Sequence, residues 1–225
     1  MQSHKAVITS HTLEPLGKPV LTIEFPAGIT IGTGQFVLAN LPGNSDPLRT
    51  RLFPIEFAVN GFTSDFLPGP AWLPGLTMEI LGPFGKPFLP PDTARRWFLL
   101  SLGDHPGRLL PLLQLGRTQS ASMAFWSKEP RPFLPSDVEH PAELVEAIDW
   151  ADFIAIELPG LDWPGEFISL KSHLLKRKDA TIQILVDVPT PCGLGACQAC
   201  AIPERKGWSL GCQSGLVLSM EQTNG

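Results

Sequence analysis

Followed from the N-terminus, the apolar and polar positions of this chain fall into two textures. Up to about residue 90 the apolar residues come in short runs rich in β-branched and aromatic side chains. These are AVITSHTLE (6–14), PVLTIEF (19–25), GQFVLANL (34–41), LFPIEFAV (52–59) and LTMEILG (76–82). Turn-forming stretches such as PAGITIGTG and LPGNSDP separate them, and GPFGKPFLPPD (82–92) closes the region. Short strands at this spacing predict a small β-barrel or sandwich.

After residue 95 the runs become longer and alternate in type. RWFLLSLG (96–103) is almost wholly apolar, as a strand buried on both faces is. RLLPLLQLGR (108–117) reads as a short helix interrupted by Pro111, and SASMAFWS (120–127) as a second strand. PAELVEAIDW (141–150) reads as a helix with Pro141 in its first turn, and DFIAIELPG (152–160) as a third strand. GEFISLKSHLLKRK (165–178) has the best helical period, with Phe167, Leu170, Leu174 and Leu175 on one side. TIQILVDVP (181–189) is a fourth strand. Strands alternating with helices predict a parallel α/β sheet. The textures suggest boundaries near residues 92 and 189, giving regions 1–92, 93–189 and 190–225.

Composition narrows the function classes. The chain has 225 residues, 43% hydrophobic and 17% charged, with a net charge of −5. That is a globular balance, and it has no basic stripe of the kind that binds nucleic acid. The N-terminal sequence lacks the apolar segment of a secretory signal, and the chain has no apolar run of about 18 residues that would span a membrane. A cytoplasmic, reducing location is the expectation. Proline is frequent, at 24 residues, which argues for many short connections.

All four cysteines lie in PCGLGACQACAIPERKGWSLGC (191–212), as Cys192, Cys197, Cys200 and Cys212. In a reducing compartment such clusters bind metal or do redox work more often than they form structural disulfides. The spacing C-x4-C-x2-C-x11-C matches the plant-type arrangement for a [2Fe–2S] cluster. Each iron needs two thiolates, and the loop that supplies them must turn sharply. Gly193, Gly195, Ala196 and Ala199 suit that turn and let backbone N–H groups approach sulfur. Other readings are a structural zinc site, a CxxC redox pair at Cys197 and Cys200, or two disulfides. Zinc sites usually combine two short paired knuckles, whereas Cys212 stands alone. A redox pair leaves Cys192 and Cys212 without a role.

In register, Cys192-Gly193-Leu194-Gly195-Ala196-Cys197, Ala199 and Cys200 resemble the cluster-binding segment of the dihydroorotate dehydrogenase electron-transfer subunit family. Those ferredoxin-reductase-like flavoproteins act in pyrimidine biosynthesis, and Cys212 matches their fourth ligand. The resemblance implies β + α/β architecture. A six-stranded-type antiparallel barrel that binds FAD comes first, then a shortened NAD-binding-like α/β domain, then the [2Fe–2S] segment. Gly34-Gln35-Phe36 looks like the family's PGQF strand, and Gly82-Pro83-Phe84-Gly85-Lys86-Pro87-Phe88 like its closing turn.

Arg51-Leu52-Phe53-Pro54-Ile55 stands where the family holds its flavin. By resemblance Arg51 would meet the FAD pyrophosphate and Phe53 would lie against the ring system, with Leu52 and Pro54 flanking. Pro54 departs from the pattern, because the family has a serine there. The family's phosphate-cradling R-x-G-x-G-T is not recognisable in FAVNGFTSDF. SLGDHPGRLLPLL replaces the glycine-rich nucleotide turn, with Asp104, His105 and Arg108 in place of bare glycine, and Leu158-Pro159-Gly160 replaces a C-G-P. These departures imply a lost NAD site. The implied function is a one-electron relay, in hetero-oligomeric association with a flavin-containing dehydrogenase subunit or another redox protein. Leu194 and Trp208 would face that partner, and the alternative is a non-redox zinc-binding or docking subunit.

Overall fold

A computed structural model gives the fold and describes residues 3–13, 19–26, 28–43, 48–64, 71–128, 134–160 and 165–223. Glu14 of the first apolar run, Asn44–Pro47 of the LPGNSDP turn, and Asp65 and Phe66 of FAVNGFTSDF lie outside the described residues.

The N-terminal half is an antiparallel sheet of β1 (Ser3–Leu13), β2 (Pro19–Glu24), β3 (Phe36–Asn40), β4 (Thr50–Leu52), β5 (Pro54–Ala58), β6 (Gly61–Ser64) and β7 (Thr77–Phe84). Their order across the sheet is β4-β3-β7-β1-β2-β6-β5. The two edge strands, β4 and β5, are joined by Phe53 alone, so the sheet curls until its edges meet. The run from 50 to 58 thus acts as one broken strand serving both edges, and the barrel is of the six-stranded type. Alternation fills its core: Ala6 and Ile8 of β1 are fully buried while Lys5 and Val7 between and beside them face outward. Pro54 is tolerated because it opens an edge strand at a bulge. Strand β6 has no counterpart among the sequence-derived strands. It follows β5 through a tight turn at Val59 and Asn60, and Gly61 is pressed against the β2 backbone so that no side chain fits there.

The second half is a mixed sheet. Its strands are β8 (Arg96–Ser101), β9 (Ser122–Ser127), β10 (Val138–Glu139), β11 (Phe153–Leu158), β12 (Thr181–Val186) and β15 (Val217–Ser219), in the order β10-β9-β8-β11-β12-β15. Strands β8 to β12 run parallel, and β15 returns antiparallel to β12. Strand β11 is buried along its whole length, as its unbroken apolar run predicts. A 3-10 turn at Pro106–Leu109 leads into α1 (Leu110–Thr118), α2 (Leu144–Trp150) precedes β11, and α3 (Gly165–Lys176) precedes β12. Pro111 does not interrupt α1. It lies in the first turn, where a missing N–H costs nothing. Pro141 lies outside α2, which starts from Glu143. Phe167, Leu170 and Leu174 are buried beneath α3, but Leu175 is 49% exposed because one residue further turns it about 100° from that face.

The C-terminal stretch adds a hairpin, β13 (Ala201–Glu204) and β14 (Gly207–Leu210), and a single helical turn, α4 (Gly211–Ser214). One apolar core runs from barrel residues Phe36, Leu38, Phe53, Leu81 and Phe84 through the parallel sheet to Cys200 and Cys212. The two sheets therefore share that core. Among the described residues no helix is long and apolar enough to cross a membrane.

Candidate metal centre and the cleft beside it

The cysteine loop gets its shape from three residues in the left-handed region. Gly193 (φ 65°), Gly195 (φ 76°) and Gln198 (φ 56°) turn the chain back on itself between the first three cysteines. Gly193 and Gly195 are also sterically required. A Cβ at the first would overlap Leu38 and at the second the Gln213 amide. The fourth cysteine is delivered by the hairpin. Ala201 pairs with Leu210, Gly211 N–H donates to Cys200 O at 2.9 Å, and α4 then turns Cys212 toward Cys200.

The sulfurs are brought together two by two. Cys192 Sγ lies 3.2 Å from Cys197 Sγ, and Cys200 Sγ lies 3.3 Å from Cys212 Sγ. All four are free thiols. Two thiolates on one tetrahedral ion, with metal–sulfur bonds of about 2.3 Å, sit roughly 3.8 Å apart. Each pair thus needs to open by only about half an ångström to hold an ion. Among the described residues no three His, Cys, Asp or Glu side chains converge as a single-ion site. The donor set is two close pairs of thiols, four in all, the number of thiolates that a binuclear iron–sulfur group takes.

The pairs differ in setting. Cys197 is exposed and Cys192 half-buried, whereas Cys200 and Cys212 are buried. Backbone N–H groups of Cys197 and Leu194, then the Cys197 thiol, pull the Cys192 thiol down to about 6. The Leu194 N–H donates to Cys192 Sγ at 3.4 Å. Burial and then the neighbouring Cys200 thiol push Cys212 up to about 11.

The two barrel motifs form the floor of this loop. Gln35 Nε2 donates to Gly85 O at 2.6 Å, and Phe36 stacks on Phe84 with ring centroids 5.4 Å apart. A Cβ at Gly85 would come within 2.7 Å of Gly215 Cα, so the closing turn and the end of α4 are in backbone contact. An open cleft of about 560 Å³, walled by Pro83, Phe84, Leu194, Cys212 and Gln213, leads in from solvent. Leu194 is 57% exposed, and Trp208 at 73% is a surface residue rather than part of a hairpin core.

The flavin positions implied by resemblance are differently placed. Arg51 forms an ion pair with Asp187 and donates to Val188 O. Arg108 Nη1 donates to the other oxygen of Asp187 at 2.6 Å. Burial alone would raise the Asp187 carboxyl. The charges of Arg108 and Arg51 outweigh it and hold the group below its ordinary value. Leu52 and Pro54 are buried, and Phe53 is 1% exposed. The Phe53 ring packs on Phe36, with Arg108 4.3 Å and Arg51 5.0 Å from its centroid. In this structure Arg51 is thus engaged by Asp187 and Val188, and the Phe53 ring is covered by Phe36 and the two guanidiniums.

Sequence reasoning missed Glu157 and Asp187. Each is a lone acid in an otherwise apolar strand run, and a buried charge in such a run demands a partner. Glu157 is fully buried at the end of β11. Its Oε2 accepts from the Ser101 hydroxyl at 2.7 Å and from Gly103 N–H at 3.0 Å. Asp104 is exposed and His105 half-buried in the same loop.

Barrel, parallel sheet and cysteine segment in this order define a ferredoxin-reductase-like fold. Solved structures share it. NADH-dependent reduced ferredoxin–NADP oxidoreductase, studied for flavin-based electron bifurcation, matches with TM-score 0.66 and 15% identity over 97% of this chain and 89% of that one. Phthalate dioxygenase reductase, described as a modular structure for electron transfer from pyridine nucleotides to [2Fe-2S], matches with TM-score 0.59 and 11% identity over 99% and 96%. The flavohem-like FAD/NAD-binding domain of nitric oxide dioxygenase from Vibrio cholerae matches with TM-score 0.55 and 16% identity over 83% and 99%. Identities this low establish the fold. No family model and no curated protein matches the sequence.

Proposed function

We propose that this chain is the electron-transfer subunit of an oxidoreductase. It relays single electrons through a [2Fe–2S] cluster between a flavin and a partner redox protein, as the dihydroorotate dehydrogenase electron-transfer subunit does. The observation that carries the reading is the two-by-two pairing of Cys192 with Cys197 and Cys200 with Cys212. The fold shared with reductases that serve ferredoxin, NADP and dioxygenases supports it.

When bound, such a cluster supplies a one-electron carrier. The chain's own residues do the rest. The turns at Gly193 and Gly195 aim the N–H groups of Leu194, Ala196 and Cys197 at Cys192 and that of Gly195 at Cys212, which favours the more negative, reduced state. Cys200 and Cys212 anchor the site in the core, and Cys192 and Cys197 leave one side near solvent. Electron transfer through that side needs no acid or base. Leu194 and Trp208 flank it, and large exposed apolar residues of this kind mark partner contacts. In this reading residues 1–92 and 93–189 act as the platform and residues 190–225 as the redox segment.

The test is metal and sulfide analysis, with a visible spectrum, of protein purified without oxygen. About two irons and two acid-labile sulfides per chain are expected. Zinc without sulfide would overturn the relay.

A further inference from the structure

In open parallel sheets, ligands bind at the carboxyl ends of the strands, where successive connections leave in opposite directions. Here β8 connects to β9 on one side and β11 to β12 on the other, so that point lies between β8 and β11. Backbone N–H groups after the first strand are what such folds offer to a nucleotide phosphate. The Gly103 N–H after β8 already donates to Glu157, reaching in from the end of β11. Ser101, directly across the register from Glu157, adds its hydroxyl. A Cβ at position 103 would overlap the carboxylate, so this glycine accommodates a carboxylate of the same chain.

The neighbouring strand end repeats the device. Asp187, one residue past β12, takes Arg108 from the β8 loop on one oxygen and Arg51 from barrel strand β4 on the other. Asp187 thereby joins the two sheets. The two guanidiniums also close over Phe53, which the core already buries.

We infer that the Glu157 and Asp187 carboxyl groups stand in the two phosphate positions of this fold, so that the chain binds neither FAD nor a nicotinamide dinucleotide between its two sheets. A dinucleotide pyrophosphate entering there meets two fixed acids, and the cations and N–H that would receive it are engaged. Resting on the relay reading, the flavin that exchanges electrons with the cysteine segment is then held by the partner protein. The Arg51–Asp187–Arg108 contact is a structural joint between barrel and parallel sheet.

The test titrates FAD, and separately NADH, into the anaerobically purified full chain, following flavin or nicotinamide fluorescence. Wild type should release no flavin on denaturation and show no saturable binding below about 100 μM of either probe. Asp187→Asn should lower the melting temperature by roughly 4 °C or more while leaving iron and sulfide per chain unchanged. Stoichiometric FAD that is lost in Arg51→Ala would overturn the inference, as would an Asp187→Asn variant that melts with wild type. The two readings fail separately. Zinc in place of iron sinks the relay and leaves the resident carboxyl groups standing, whereas a chain with both cluster and FAD does the reverse.

Discussion

In the cysteine loop, the sulfurs and the N–H groups that face them are gathered at one place. The Leu194 N–H aims at Cys192 Sγ, and the four thiols stand in pairs with no disulfide between them. At the ends of the parallel strands, beside the barrel, the groups that reach inward meet others from the same chain. Asp187 answers Arg51 and Arg108, and Glu157 answers Gly103 and Ser101. Both regions are rich in the residues that bind cofactors. The difference lies in the chemistry of the partners: carboxyl groups met by guanidiniums, a hydroxyl and an N–H hold two strands or two sheets together, whereas thiols set beside thiols are a donor set for metal.

The largest expected effect breaks the thiol side of this comparison. Cys197→Ser removes one member of the outer pair, and bound iron should fall by about tenfold or more, because ligand binding and loop order are coupled. The visible spectrum of the anaerobically purified variant measures this. The C-terminal hairpin should also become more sensitive to protease, since it then lacks the link that fixes Cys212 to the loop. A spectrum equal to that of wild type would show that Cys197 is not a ligand.

The next effect tests the carboxyl side. Gly103→Ala drives a methyl group into the Glu157 carboxylate, and overpacking of this kind costs about 1–3 kcal/mol. Urea unfolding measures it. The double variant Gly103→Ala with Glu157→Ala opens space for the methyl group, so its cost should fall short of the two single costs summed by about 1 kcal/mol. Additive costs would mean that the carboxylate and the glycine do not act as a unit.

What the sequence reveals of these two regions follows from range. The cysteine site is local. Its first three sulfurs span nine residues, its turns need glycine, and those constraints are visible as spacing and residue type. The parallel strands are equally plain, because burial on both faces leaves an unbroken apolar run such as FIAIEL. The contacts at the strand ends are not local. Arg51 and Asp187 are 136 positions apart, and Gly103 and Glu157 are 54 apart. Nothing near Arg51 distinguishes an arginine that awaits a phosphate from one that meets a carboxylate. Strand β6 was hidden for a related reason. GFTS is short and has a single apolar side chain, Phe62, and its place is set by pairing with β2 and β5.

The smallest effect sharpens the comparison at the strand ends, because the two acids there are held in opposite ways. Asp187 sits between two cations, and its folded pKa is depressed. Its contribution is full above the ordinary carboxylate range and is lost as pH falls through that depressed value. Glu157 is held chiefly by burial, against the Ser101, Arg108 and Gly103 contacts, and its folded pKa is raised. Its contribution is full below the ordinary range and is lost as pH rises through the raised value. Neutral replacements should therefore diverge. The stability deficit of Asp187→Asn should shrink as pH falls below about 4, and Glu157→Gln should gain on wild type as pH rises above about 4, each by no more than about 1.4 kcal/mol per pH unit. Denaturant unfolding of the three proteins at a series of pH values reads both slopes. Slopes of the same sign would mean that the two carboxylates carry the same charge state, and that the Arg51–Asp187–Arg108 lattice does not set them apart.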